Sequence, residues 1–360
     1  MKRRLLLSLS VAFALAAAVA GAEAPRYQQD VFPGAAWERI ADPAAAGFCA
    51  DKLAAVTEKA QQATTSAMMV VVGGRVLYDY GDVTTVSYLA SVRKSILSML
   101  YGNYVESGKV RLDKTLAEIG IDDVGGLTDA EKQATIEHLL MAKSGVYHEA
   151  SNAGDDLASA PPRGSQKPGT YFLYSNWDFN ALGTIFEKET GLGIYDALEK
   201  DLAIPIGMQD FDKSRHRRTG NARRSEHLAY HMNFSTRDMA RLGLVMLREG
   251  EWNGRQVVPR EWARRIVQPH TRLENMNPPS RKDVVGYGYL WWVWDGPEAI
   301  GPYEGAYSGR GAIGQYITVL PKLDMVIAHK TVPGDRRTVG WPAYRGIVQA
   351  IVDSKCGRTG

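Results

Sequence analysis

Cysteine is scarce in this chain: its 360 residues include only two, Cys49 and Cys356. Two cysteines exclude the zinc sites and the small disulfide-rich scaffolds that need four or more. An excess of charge of one sign is missing as well, because 43 Lys and Arg stand against 40 Asp and Glu. This balance argues against a nucleic-acid partner and against a basic surface that docks on membranes.

Two common hydrolase patterns are absent or incomplete. The G-x-S-x-G turn of α/β-hydrolases does not occur in the sequence. His227 and His231 have the i, i+4 spacing of a zinc-binding helix, but Leu228 stands where such a helix has glutamate. No other group of metal ligands is evident, so we expect neither a metal ion nor another cofactor.

The longest apolar run lies at the N-terminus, over residues 5–19. A membrane-spanning helix needs about 20 apolar residues, so this run predicts no stable membrane anchor. Three basic residues precede it and the small residues Ala20-Gly21-Ala22 follow it, as in a secretory signal peptide. We expect residues 1–22 to be removed during export to the periplasm or the medium. They hold three basic and no acidic residues, so the mature chain would carry 40 of each.

Hydrophobic periodicity predicts strands near both ends of the chain and helices between them. Ala67–Val72 is a continuous apolar run, Gly73-Gly74 is a turn signal, and 75–80 alternates, which together indicate a β-hairpin. Helical patterns dominate from Leu89 to Leu247. Further strands are predicted at 287–294, 315–320 and 325–330, and a closing helix at 344–352.

This order predicts an α/β (α+β) fold in which an antiparallel sheet is flanked by terminal helices and carries an inserted helical domain. We expect a single unit over residues 37–353, with the α/β part at about 37–88 and 250–353 and the helical part at about 89–249. A functional site is expected at the seam between the two parts.

Ser91 and Lys94 are the first candidate catalytic residues. On a helix, residues i and i+3 share one face, so the Lys94 amine can reach the Ser91 hydroxyl. A hydroxyl beside a base is the arrangement that nucleophilic catalysis requires. The S-x-x-K pattern alone is common on solvated helix surfaces, and it gains weight from two further blocks that follow it in order.

The second block is Tyr174-Ser175-Asn176, and the third is the glycine-rich stretch 307–315. With Ser91-x-x-Lys94 they resemble the S-x-x-K, Y-x-N and x-x-G motifs of the serine β-lactamase and penicillin-binding-protein superfamily. The tyrosine in the second block is similar to the class C β-lactamase, esterase and aminohexanoate-dimer-hydrolase side of that superfamily. Flanking segments agree, including Thr135–Gly145 and Pro168-Gly169-Thr170.

The third block departs from the family pattern because no Lys or His opens it. Two triplets remain open: Gly309-Arg310-Gly311, which we prefer because Gly314-Gln315 then falls in the family's place, and Tyr307-Ser308-Gly309. In the resembling lactamases the opening cation helps to hold a substrate carboxylate. Arg310 is a candidate to supply that charge, the alternative being a solvated residue at a strand rim.

The resemblance also implies roles for the remaining residues. Lys94 and Tyr174 would relay protons to and from Ser91, with either as the formal base, and Asn176 would orient Lys94 and bind the substrate carbonyl. The N–H groups of Ser91 and Ala312, beside Gly311, would form the oxyanion hole. His148 lies in a loop that resembles one near the site in related hydrolases, so it is a candidate substrate contact.

The two cysteines lie near the ends of the mature chain, where the resembling fold packs its first and last helices side by side. An oxidising compartment would allow Cys49 and Cys356 to pair. The alternative is two small buried thiols.

The leading hypothesis is an exported serine hydrolase that cleaves small esters or amides through a Ser91 acyl-enzyme. A β-lactamase or D-Ala-D-Ala carboxypeptidase is the rival within catalysis, and the missing cation in the third block argues against it. A non-catalytic penicillin-binding or sensor protein is the alternative from another class. The expected partner is a small ester, amide or peptide, and the patterns leave the oligomeric state open.

Overall fold

The computed structural model describes residues 31–281, 285–334 and 337–356. The predicted signal peptide, 1–22, lies outside these residues. The helices of the described part are α1 Ala50–Gln62, α2 Val92–Glu106, α3 Leu116–Ile119, α4 Ile136–Leu140, α5 Asn176–Thr190, α6 Ile194–Leu198, α7 Thr236–Leu247, α8 Arg260–Ile266 and α9 Trp341–Asp353.

The longer strands lie near both ends of the chain, and short two-stranded ladders lie between them. They are β1 Ala67–Val72, β2 Arg75–Gly81, β3 Ser87–Tyr88, β4 Arg217–Thr219, β5 Ala229–His231, β6 Asn233–Phe234, β7 Glu251–Trp252, β8 Arg255–Gln256, β9 Val285–Tyr287, β10 Trp292–Trp294, β11 Tyr307–Gly311, β12 Gln315–Leu320 and β13 Met325–Lys330.

The main sheet is antiparallel and is built from both ends of the chain. Within the described residues its strand order is β2-β1-β13-β12-β11-β10-β9. The central pairing joins the N-terminal hairpin to the last strand, with Ala67 opposite Lys330 and Val72 opposite Met325. Every side chain of β1, β12 and β13 is buried, because helices cover both faces of the sheet. The predicted antiparallel α/β architecture is confirmed.

Side chains of neighbouring residues on β12 identify the two helical layers. Tyr344 of α9 donates a hydrogen bond from its hydroxyl to Thr318 Oγ1 at 2.8 Å, and α1 packs beside α9. On the opposite face, Gly243 of α7 lies so close to Ile317 and Val326 that a Cβ there would meet Val326 Cγ1 at 2.4 Å. Helix α7, which the sequence pattern assigns to the helical part, therefore packs directly on the sheet.

The segment 287–294, predicted as one strand, is a hairpin instead. Tyr287 pairs with Trp292, and the turn between them contains Leu290 in the left-handed region, at a φ of 64°. The turn carries no polar turn residues because it is buried: the N–H groups of Tyr289 and Leu290 donate to the carbonyls of Ile266 and Leu140, at the ends of α8 and α4. Those distant carbonyls satisfy the backbone that a surface turn would leave to water.

Candidate active site

Ser91 and Lys94 lie at the start of α2, at the seam between the sheet and the helical part. Ser91 is the N-cap residue and follows Ala90, whose φ of 49° is unusual for a residue other than glycine. Lys94 lies one turn further on and is buried, with 2% of its surface exposed. Its Nζ lies 2.9 Å from Ser91 Oγ, within hydrogen-bonding distance.

The second motif completes the surroundings of the amine. Lys94 Nζ lies 2.7 Å from the Tyr174 hydroxyl and 2.7 Å from Asn176 Oδ1. A neutral amine has two N–H donors and one lone pair, so it can donate to two of its three neighbours and accept a proton from the third. This is the geometry in which an amine can receive the proton of Ser91 or exchange one with Tyr174.

Burial sets the protonation of this pair. It lowers the pKa of Lys94 well below that of an exposed lysine, and the nearby charge of Arg93 acts in the same direction, while Asp155 opposes it. Burial also raises the pKa of Tyr174, against a smaller opposite effect of its hydrogen bond with Ser91. Both shifts favour the neutral forms, an amine that can accept a proton and a phenol that can donate one.

Asn176 is fixed by its other contacts. Its Nδ2 donates to the carbonyl of Ala153 at 3.0 Å, which turns Oδ1 toward Lys94. Its backbone N–H donates to Asp155 Oδ2 at 3.1 Å. Ser175 caps α5 by accepting from the N–H of Asp178. The Y-x-N block therefore ends an extended segment and begins a helix, with two side chains directed at one amine.

The end of β11 packs against the nucleophile. A Cβ at Gly311 would lie 2.6 Å from the Leu89 carbonyl oxygen and 3.1 Å from the Ser91 nitrogen, so only glycine permits this approach. Gly309 faces the same helix less tightly, since a Cβ there would lie 3.2 Å from Ser95 Oγ. Ser308 lies on the opposite face of the sheet, where its Oγ bonds Thr318. The geometry thus favours Gly309-Arg310-Gly311 as the third motif, with Ala312 in the turn that follows.

Two arginines flank the ring of Trp292. Arg310 lies between two indoles, with its Cζ 4.6 Å from the ring centroid of Trp292 and 4.0 Å from that of Trp341. Arg281 lies 5.5 Å from the Trp292 centroid and 5.1 Å from that of Tyr174. Sequence reasoning missed Arg281 because it stands in a loop without a motif, and its ion-pair partner Asp156 is 125 residues away.

His148, a candidate substrate contact from the sequence, lies between two backbone segments. It is buried, with 8% of its surface exposed. Its Nδ1 and Nε2 lie 2.8 Å from the carbonyl oxygens of Glu149 and Val124. Both ring nitrogens are thus occupied by backbone, and the histidine holds two loops together.

Cys49 and Cys356 form a disulfide, with their Cα atoms 5.2 Å apart. It joins the N-cap of α1 to the segment after α9. The neighbouring backbone is tied as well, since the N–H of Cys49 donates to the carbonyl of Ser354 and that of Cys356 to the carbonyl of Gly47.

A cavity of about 380 Å³ lies at β3, three residues before the nucleophile. Burial lowers the pKa of His231, which faces it, to about 4, so this ring is neutral at pH 7. The volume is near the lower end of the range for ligand pockets, about 300 to 1,000 Å³. Its lining residues are Tyr88, Arg217, Thr219, His231, Asn233 and Pro333.

The described residues contain neither a group of metal ligands nor a helix that could span a membrane. Among residues 31–281, 285–334 and 337–356, no three His, Cys, Asp or Glu side chains are grouped as metal ligands. No helix in the same ranges has the length and apolar character to cross a bilayer. His227 and His231, which have zinc-helix spacing in the sequence, lie on a loop and on β5.

Comparisons with known proteins agree with the fold. A protein assigned as a 6-aminohexanoate-dimer hydrolase in Bacillus anthracis is 20% identical, with a TM-score of 0.62 over 82% of this chain and 80% of its own. EstCE1, a hydrolase with promiscuous acyltransferase activity, is 16% identical, with a TM-score of 0.60 over 86% of this chain and 98% of its own.

One curated relative matches a smaller part of this chain. Monacolin J acid methylbutanoyltransferase of Aspergillus terreus is 26% identical over 160 residues, which are 36% of this chain and 38% of that protein. The chain thus spans well under half the length of this relative. The family model "Beta-lactamase" matches residues 50–342, which is most of the chain. This protein belongs to the beta-lactamase family.

Proposed function

We propose that this protein is a serine hydrolase that cleaves small esters or amides through an acyl-enzyme on Ser91. The observation that carries the proposal is the position of the buried Lys94 amine, within 2.9 Å of Ser91 Oγ, Tyr174 OH and Asn176 Oδ1. These three neighbours are neutral, and two of them, the Ser91 hydroxyl and the Tyr174 phenol, can exchange a proton with the amine. The site therefore supports proton transfer rather than an ion pair.

In the first half of the reaction, the pair formed by Lys94 and Tyr174 takes the proton of Ser91 as Oγ bonds to the substrate carbonyl carbon. The N–H groups of Ser91 and Ala312 are the proposed donors to the resulting oxyanion, each worth roughly 10² to 10³ in rate. When the tetrahedral intermediate collapses, the bond to the leaving alcohol or amine breaks. The leaving group takes the proton from Tyr174 or Lys94.

The second half repeats these steps with water. The same pair removes a proton from the water as its oxygen attacks the acyl carbon, and the proton returns to Ser91 Oγ as the acid leaves. EstCE1 is a hydrolase with promiscuous acyltransferase activity, and the Aspergillus protein is a methylbutanoyltransferase. An alcohol in place of water would give the same step with an ester as product.

Export through residues 1–22, to the periplasm or the medium, is part of the proposal and is tested by sequencing the N-terminus of secreted protein.

A β-lactamase or D-Ala-D-Ala carboxypeptidase is the second candidate, because Arg281 and Arg310 bring positive charge near Tyr174. A non-catalytic binding protein would not require an amine held in a neutral form beside a serine.

The test combines labelling with turnover. A fluorophosphonate probe should modify mature protein at Ser91 in a one-to-one ratio, and Ser91→Ala should lose both labelling and p-nitrophenyl ester hydrolysis. Ser107→Ala, at the exposed C-cap of the same helix, is the matched control and should behave as wild type. A label mapped to another serine would contradict the assignment. Nitrocefin turnover faster than ester turnover would favour the second candidate.

A further inference from the structure

The guanidinium of Arg281 is held rigidly above the ring of Tyr174. Its Cζ lies 5.1 Å from the ring centroid. Its Nε and Nη2 donate to the two carboxylate oxygens of Asp156 at 2.6 and 2.8 Å. A two-pronged pair of this kind fixes the plane of the guanidinium as well as its distance.

Asp156 is itself anchored to the second motif. Its backbone N–H donates to the Tyr174 carbonyl at 3.0 Å, and the neighbouring Asp155 accepts from the N–H of Asn176. The ion pair therefore joins the short turn that contains Arg281 to the residues that surround Lys94. Its members are largely buried, with 28% and 14% of their side chains exposed.

The charges around the amine and the phenol come from several elements. Gly309, at the first position of the third motif, carries no charge. The groups that act on Lys94 or Tyr174 include Arg93 from α2, Asp155 and Asp156 from the loop before Tyr174, Tyr230 from β5, Arg281 from the segment before β9, Tyr287 from β9, Arg310 from β11, and the hydrogen-bonded Ser91.

We propose that Arg281 is a positioning residue for the Ser91 site: fixed by Asp156, it keeps the Tyr174 ring in place and supplies a positive charge beside it. This inference rests on the proposed function. It assigns to Arg281, far from the motifs in sequence, an effect on the protonation of Lys94 and Tyr174, which is distinct from binding a substrate carboxylate.

The two members of the ion pair act in opposite directions. Burial is the main cause of the low pKa of Lys94, and the charge of Arg281 lowers it further, whereas Asp156 raises it. Arg281 also lowers the pKa of Tyr174. Removal of Arg281 should therefore raise the pKa of both groups, so the sign of the effect does not depend on which of them is the formal base.

The experiment measures kcat/KM for p-nitrophenyl butyrate between about pH 5 and about pH 9, where the acidic limb reports the base of the free enzyme. We expect Arg281→Gln to move this limb to higher pH by about half a unit to one unit, and Asp156→Asn to move it to lower pH. Arg281→Lys, which keeps the charge but not the planar fork, should leave the limb in place and lower kcat.

Arg237→Gln is the matched control. Arg237 forms a two-pronged pair with Asp210, with side-chain exposures of 25% and 15%, close to those of Arg281 and Asp156. It is not among the groups that act on Lys94 or Tyr174. We expect a loss of thermal stability comparable to that of Arg281→Gln and an unchanged acidic limb.

The inference is wrong if the acidic limb of Arg281→Gln stays where it is in the wild type. It is also wrong if the limb moves in the same direction in Arg281→Gln and in Asp156→Asn. In either case Arg281 has a structural role only. If Arg281→Gln does not fold, Asp156→Asn decides, because its limb must move to lower pH. The limb can also be read from the rate of fluorophosphonate labelling of Ser91. If the wild-type protein shows neither labelling nor turnover, the proposed function itself is contradicted. That result differs from a variant with normal activity and an unchanged acidic limb, which contradicts only the role of Arg281.

Discussion

The amine of Lys330 lies 2.9 Å from the carbonyl oxygen of Ser87, and it donates a second hydrogen bond to the carbonyl of Phe234. Lys330 ends β13, while Ser87 and Phe234 pair across β3 and β6. The lysine therefore ties the main sheet to the short ladder that precedes the nucleophile. It is 1% exposed, and burial lowers its pKa to about 7.

This pKa predicts how stability depends on pH. In the unfolded chain the amine has an ordinary pKa near 10.4, so between about pH 7 and about pH 10 the unfolded state binds more protons than the folded state. The free energy of unfolding should rise with pH in this window, by at most about 1.4 kcal/mol per unit. Below about pH 7 both states are protonated and the effect is constant.

Urea unfolding of wild type and Lys330→Met at several pH values isolates this contribution, since other groups titrate equally in both proteins. We expect the wild type to gain stability relative to the variant as pH rises. A difference between the two that stays constant from about pH 7 to about pH 10 would show that the amine is not neutral in the folded protein.

Asn176→Asp should place a carboxylate 2.7 Å from the Lys94 amine while keeping the shape of the side chain. An adjacent negative charge favours the ammonium form, so the pKa of Lys94 rises and the base is lost at neutral pH. We expect kcat/KM for p-nitrophenyl butyrate to fall at least about tenfold at pH 7 and to recover in part at higher pH.

Asn176→Ser is the control for this change, because it removes the amide without adding charge. It should lose activity without a shift of the acidic limb. Equal pH profiles for the Asp and Ser variants would contradict the view that Asn176 keeps the amine in a neutral surrounding.

The ordered motifs made much of this site predictable from sequence. Ser91 and Lys94 are one helical turn apart, and Tyr174 and Asn176 sit at an extended-to-helical boundary, so their spacing already restricts where the side chains point. Arg281 and Asp156 have no such local signal, since their contact depends on two loops meeting in the folded chain. His148 shows the converse: a polar residue in the expected loop is consumed by backbone carbonyls that no local pattern reveals.

The fold was predictable where hydrophobic periods are long. The β1–β2 hairpin and the strands β12 and β13 follow the predicted bounds to within one residue. The buried turn at Leu290 was not predictable, because its backbone N–H groups bond to the distant carbonyls of Ile266 and Leu140 and it therefore needs no polar residue. Helix α7 has an amphipathic pattern that fits either a bundle or a sheet, and only the close approach at Gly243 distinguishes them.

The disulfide should contribute measurably to stability. The Cys49–Cys356 bond spans 307 residues. In the chain-entropy model a loop of this size stabilises the folded state by about 6 kcal/mol, whereas removal of a native disulfide typically costs about 2 to 5 kcal/mol. The double variant Cys49→Ala/Cys356→Ala should melt at lower temperature than the wild type. Reductant should lower the wild-type melting temperature toward that of the variant and leave the variant unchanged.

Mass spectrometry of secreted protein without reductant should show one peptide cross-linked through Cys49 and Cys356. Reaction of both cysteines with a thiol reagent under native conditions would contradict this pairing.

Substrate preference depends on the missing cation of the third motif. A substrate carboxylate would lose a charge-assisted hydrogen bond worth about 1.5 to 3 kcal/mol, which is roughly ten to over a hundredfold in binding. We therefore expect kcat/KM for neutral short-acyl p-nitrophenyl esters to exceed that for nitrocefin or a D-Ala-D-Ala peptide by at least about tenfold, after correction for each uncatalysed rate.

Arg310 is the residue most able to reverse this preference. Its guanidinium is held between Trp292 and Trp341, and it acts electrostatically on Tyr174, so its charge lies near the reacting groups. If Arg310 binds a substrate carboxylate, Arg310→Ala should lose turnover of nitrocefin while ester turnover persists, and Arg310→Lys should rescue it in part because the charge remains. Turnover of carboxylate-bearing substrates that equals or exceeds ester turnover and disappears in Arg310→Ala would establish the β-lactam or peptide activity. An equal small loss for both substrate classes would instead assign Arg310 to packing between the two indoles.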